Sequence, residues 1–125
     1  MNILLWIVQA VLAFAFVMAG AIKLQKTAAQ LKIRGKGRMD WVDDVSASQL
    51  RMIGGLELAG GVGIILPLAT GILPWLTSLA AIGLALTMAG AMALHAKRKD
   101  PPAAFGVTGA LLAMALFVAW GRYGA

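Results

Sequence analysis

Lys23, Arg51, Glu57 and His95 are ionisable side chains set inside, or at the ends of, long apolar runs. Glu57 carries the most information, because it is the one charge between Met52 and Ala69. A charged group in the middle of a membrane span costs roughly 2.5–3.5 kcal/mol on insertion scales and commonly marks a functional position. Such a carboxyl is tolerated in either of two states: ionised and paired with Lys23 or Arg51, or protonated in an apolar setting. The bland alternative is a buried ion pair that only fixes helix register. His95 has its own set of roles: proton shuttle, quinone hydrogen-bond donor, haem ligand, or a cap on a helix end beside Lys97 and Arg98.

Apolar helices must position these groups. The chain of 125 residues is 61% hydrophobic and only 13% charged, with a mean hydropathy of +0.85. A soluble domain of that size needs far more polar surface. Four spans are expected, at about 3–22, 52–69, 75–94 and 103–120, each near the ~20 residues that cross a bilayer as a helix. The expectation is thus an all-α, four-helix transmembrane bundle forming a single integral membrane domain over 1–125. Ser46 and Gln49 form a capping box, with Val45 and Leu50 placed as its hydrophobic staple. Gly71 suits a C-terminal cap, Pro74 the first turn of the third span, and Asp100-Pro101 the start of the fourth. Gly35 and Gly37 are expected to end a basic extension of the first helix.

Lys23, Lys26, Lys32, Arg34, Lys36, Arg38, Lys97, Arg98 and Lys99 fall in the loops 23–50 and 96–102, on one side of the membrane. The positive-inside rule then places those loops in the cytoplasm and both termini outside, leaving Arg122 alone on the far side. Trp6, Trp75, Trp120 and Tyr123 reach the same outer interface, as an aromatic belt does. Small residues recur every four positions: Ala15 and Ala19 leading to Lys23; Gly55, Ala59 and Gly63, with Glu57 flanked on its own face by Gly54, Gly60 and Gly61; Gly83, Thr87 and Ala91 leading to His95. Such stripes let helices approach in lipid. They predict that Glu57, His95, Lys23 and Arg51 line one polar pocket opening toward the basic side, with Glu57 ~9 Å deeper than Arg51.

Several chemistries are excluded or unsupported. With no cysteine, the chain has no disulfide, thiol redox couple or thiolate metal site of its own. One histidine and one intramembrane glutamate make no metal site, and no hydrolase triad or phosphate-binding glycine loop is present. The net charge of +6 is loop charge, so no nucleic-acid partner is expected.

The chain resembles the DoxX-like family of small bacterial membrane proteins. The resemblance rests on Ala19–Leu24, Met39–Val42, Arg51–Gly60 and Ile65-Leu66-Pro67, then on Leu79–Met88, His95 and Val118–Arg122. It implies a multi-pass bundle in the bacterial plasma (inner) membrane, with Lys23, Arg51, Glu57 and His95 at the family's polar positions. It also implies association with oxidoreductase systems, since the family name comes from a subunit of a thiosulfate:quinone oxidoreductase.

The expected function is therefore a quinone-associated or accessory subunit of a membrane oxidoreductase system, more an adjunct than an enzyme by itself. Quinone is the one cofactor implied. Expected partners are the lipid bilayer and a membrane or peripheral oxidoreductase, with a homo-oligomer left open. Two alternatives stand beside it: a small proton-coupled transporter or lipid-handling protein with Glu57 as its protonation switch, and a non-catalytic membrane assembly factor.

Overall fold

A computed structural model describes residues 2–35, 45–100 and 102–123. The Asp40–Asp44 segment, expected to cap the bundle mouth or rest in the interface, lies outside the described residues, as does Pro101. Every element among the described residues is a helix: α1 (Asn2–Gln25), α2 (Ala28–Gly35), α3 (Ala47–Gly63), α4 (Leu66–Thr70), α5 (Trp75–Arg98) and α6 (Pro102–Gly121).

α1, α5 and the continuous stretch Ala47–Thr70 are long and apolar enough to cross a membrane, at 24 residues each, or ~36 Å. The apolar part of α6, Phe105–Gly121, is shorter, although the whole helix has 20 residues and reaches ~30 Å. The long helices form a ring. α1 packs on α3, α3 on α5, α5 on α6, and α6 back on α1. Every neighbour is antiparallel: Lys23 meets Glu57, Gly60 faces Leu84, Ser78 bonds to Ala119, and Arg122 bonds to Gln9. The chain is thus a helical transmembrane bundle.

Its two ends differ. One carries Trp6, Trp75, Trp120 and Tyr123, near the start of α1, the start of α5 and the end of α6. The other carries Lys23, Lys26, Arg51, His95, Lys97, Arg98 and Lys99.

Helix ends follow local chemistry. The Ser46 side chain accepts from Gln49 N while Gln49 returns the bond to Ser46 N, a complete capping box. Leu50 and Val45 pack in one small cluster with Leu31 and Ile22, so the staple is closed as well. Gly71 ends α4 at φ 74, a left-handed position that only glycine takes without strain. Pro74 is the N-cap of α5 rather than part of its first turn.

α1 does not continue as a basic extension to Gly35. It stops at Gln25, and α2 is a separate helix. Thr27 and Gln30 explain the break, because Thr27 N donates to Gln30 Oε1 at 2.9 Å and Gln30 N to Thr27 Oγ1 at 3.2 Å. This second capping box restarts the helix, and Leu31 is then pinned against Leu50.

The interior stripe of α1 is Leu5, Gln9, Leu12, Phe16, Gly20 and Lys23, and that of α3 is Leu50, Gly54, Glu57 and Gly61. Both mix steps of three and four. Two of the four-residue stripes anticipated above start off the packing face, since Gly55 and Gly83 have nothing within 4 Å of a Cβ position, whereas Gly63 meets Ala80 at 3.0 Å and Lys23 and His95 are buried. A step of four residues advances ~400°, so such a stripe drifts ~40° per step and leaves the interface within a few turns.

Candidate functional site

Glu57 lies on the buried side of α3 between Gly54 and Gly61, and Lys23 ends the interior stripe of α1. Close backbone approach brings them together. A Cβ on Gly20 would lie 2.5 Å from Gly54 O, and one on Gly61 2.9 Å from a Val17 methyl. With the helices this close, Lys23 Nζ sits 2.7 Å from Glu57 Oε1, the two side chains only 10% and 4% exposed. Between the two partners anticipated for Glu57, the structure chooses Lys23.

Arg51 is exposed on the first turns of α3. It stands at the rim, six residues from Glu57, and does not join the ion pair.

His95 is buried near the end of α5, but its partner is Asp100: Nδ1 and Oδ2 are 2.6 Å apart. Arg98 Nε donates to the same carboxylate at 3.3 Å. Lys99, at φ 58, turns the chain so that Asp100 N bonds back to His95 O at 3.0 Å. Asp100 therefore closes the α5–α6 corner backward onto α5. Phe105 of α6 covers the imidazole edge-on at 6.0 Å between ring centroids.

The hydrogen bond with His95, aided by the charge of Arg98, holds the Asp100 carboxyl below its ordinary value against the opposing effect of burial. An ionised Asp100 requires the proton on Nδ1, so Nε2 is the nitrogen left for a ligand. A depressed carboxyl stabilises the fold at every pH above its unfolded value of about 3.9, and that contribution vanishes as pH falls through the folded value. Thermal unfolding in mild detergent should therefore find wild type more stable than Asp100→Asn at pH 7, with the gap closing below about pH 4. A gap that does not shrink at all as pH falls below about 4 would contradict the ion pair.

The two couples occupy different depths. Gly60 meets Leu84 and Gly63 meets Ala80, so Glu57 is level with about Met88 of α5. His95 lies seven residues further on (95 − 88), ~10 Å along the axis. The arrangement is a ladder, with Lys23–Glu57 as the deeper rung and His95–Asp100 nearer the basic end. The groups do not form one tight cluster.

Sequence reasoning passed over a second polar set, at the aromatic end. Gln9, fully buried, donates from Nε2 to Ile64 O at 2.6 Å. That carbonyl lies at the interruption between α3 and α4, where Pro67 has no N–H for Gly63 O. Gln9 Oε1 in turn accepts from Arg122 Nε at 2.7 Å. The available signal was Gln9 as the lone polar residue of the first span.

A bundle of apolar helices with paired charges inside it defines a multi-pass membrane protein. The family model described as the DoxX-like family matches residues 7–118, and the chain belongs to that family. No curated protein and no solved structure matches it.

Proposed function

We propose that this chain is an accessory, non-catalytic subunit of a membrane oxidoreductase system that holds a quinone head group between its two polar rungs. The reading also places all four long helices across the bacterial inner membrane, basic end in the cytoplasm and termini outside, following the charge asymmetry. The observation that carries it is the Lys23–Glu57 pair, 2.7 Å apart and buried where a membrane protein keeps charges chiefly for function. Spacing supports the ligand class. A para-quinone, on the order of 5 Å between its oxygens with a hydrogen bond of ~2.8 Å at each, spans about the ~10 Å between the rungs. Lys23 donates to one oxygen. His95 Nε2 accepts from a quinol hydroxyl at the other or, when protonated, donates to a quinone carbonyl.

The test is quinone binding to the protein reconstituted in nanodiscs. Glu57→Gln, which unseats Lys23, should weaken binding about tenfold or more, the effect of losing one charge-assisted hydrogen bond. Equal, tight binding by wild type and variant would discard the site.

One observation favours assembly as a second reading. Gly83 and Gly90 of α5 point into open space, where a partner helix could approach closely. A stoichiometric partner in mild detergent, lost on Gly83→Leu, would favour it.

A further inference from the structure

Arg122 follows the last residue of α6 and carries a full charge at the end of the bundle that is otherwise uncharged among the described residues. Its Nε donates to Gln9 Oε1, one Nη donates to Asn2 Oδ1 at 2.7 Å, and the guanidinium lies 5.1 Å from the Trp6 ring centroid. All three partners are neutral. The remaining nitrogen, Nη2, is buried and has no hydrogen-bond partner among the described residues.

Among the described residues no carboxylate is left to supply a counter-charge. Of its five acidic residues, Glu57 is taken by Lys23 and Asp100 by His95 and Arg98. Asp40, Asp43 and Asp44 lie outside the described residues. A second donor is also short of an acceptor at the aromatic end. Thr77 Oγ1 of α5 is completely buried and unpartnered. The Ser78–Ala119 bond sets Thr77 within about one turn of Arg122 along the axis.

A buried guanidinium nitrogen without an acceptor is costly, and a planar fork already oriented by two amide oxygens and an indole face is built for an oxyanion. Trp6, Trp120 and Tyr123 mark this level as the membrane–water interface, where phosphate is the abundant oxyanion. We propose that Arg122, held by Gln9, Asn2 and Trp6, binds one phosphate group at the aromatic end of the bundle. The site lies at the opposite end from the quinone site and does not depend on it.

The experiment uses the full chain labelled with 5-fluorotryptophan in a phosphate-free maltoside micelle, with the Trp6 fluorine resonance assigned through Trp6→Phe. Inorganic phosphate is titrated in one arm and a short-chain phosphatidylglycerol in the other. A saturable Trp6 shift is expected in at least one arm. Saturation by the lipid alone identifies a headgroup, and saturation by both identifies a site open to free phosphate. Arg122→Gln should abolish the shift, Arg122→Lys should weaken it about tenfold because a point charge replaces the fork, and Arg51→Gln should leave it intact. If Arg122→Gln fails to fold, Arg122→Lys decides. No Trp6 shift in either arm, or a shift of unchanged affinity in the Arg122 variants, overturns the proposal.

Discussion

Lys23→Met is expected to destabilise the bundle by about 3–5 kcal/mol, the usual cost of removing one partner from a buried ion pair. The loss comes less from a forfeited attraction than from what remains, a carboxylate shielded from water between two helices whose backbones nearly touch. Glu57→Leu should cost a similar amount by stranding the ammonium, although the flexible lysine stem lets that charge reach toward the basic end and softens the penalty. The informative variant is the double substitution Lys23→Met with Glu57→Leu. It should recover most of the stability, because an apolar pair of similar volume has no charge to desolvate. The cycle is measured by reversible unfolding in mixed detergent micelles, with helicity as the signal. Single variants within about 0.5 kcal/mol of wild type would mean that the ion pair carries no strain on removal, and the buried-pair account would fail.

Gly20→Val is the second large effect, about 1–3 kcal/mol or more from overpacking. A Cβ at this position would lie 2.5 Å from Gly54 O and 2.6 Å from Leu58 N. Both are backbone atoms of a helix and cannot rotate aside. A graded series follows from the same geometry. Gly60→Ala meets only the side chain of Leu84, with Cδ2 at 2.5 Å and Cγ at 2.8 Å, and should cost less because a side chain can change rotamer where a helix backbone cannot. Gly55→Ala and Gly83→Ala meet nothing within 4 Å and should be neutral, or stabilising by up to about 1 kcal/mol through helix propensity. Unfolding midpoints across the four variants check the order. A Gly55→Ala as damaging as Gly20→Val would show that α1 and α3 pack on other faces.

Much of this was legible before any coordinates. Apolar runs interrupted by Glu57 alone declared membrane helices, and Ser46-x-x-Gln49 declared where the second long helix starts. Charge and depth offered Glu57 either Lys23 or Arg51, and only the packing of α1 on α3 chooses Lys23. Other features had a signal that was read too narrowly. Thr27-x-x-Gln30 is the same capping grammar as Ser46-x-x-Gln49, but it lies in a basic polar stretch where a continuing helix looked adequate. Asp100 before a proline reads as a cap for the helix ahead. Its backward reach to His95 depends on the left-handed turn at Lys99, which a lysine does not advertise. The glycines expected on the face of Glu57, Gly54 and Gly61, are buried with it, whereas the stripes that start at Gly55 and Gly83 begin off the packing face, because Ala and Gly are abundant on every face of these helices. Gln9 was visible as a polar intrusion, yet its partner, a main-chain oxygen 55 positions away, has no sequence signature.

The contact between α1 and α3 bears on biogenesis. A translocon presented with the second long helix by itself must release an acidic side chain into acyl chains, at roughly 2.5–3.5 kcal/mol. With the first helix still held alongside, the same segment leaves as half of a charge-paired hairpin, its carboxylate already matched by an ammonium and its glycines already seated. The N-terminal half is thus suited to lateral release as a pair, with the last two helices joining a preformed wall.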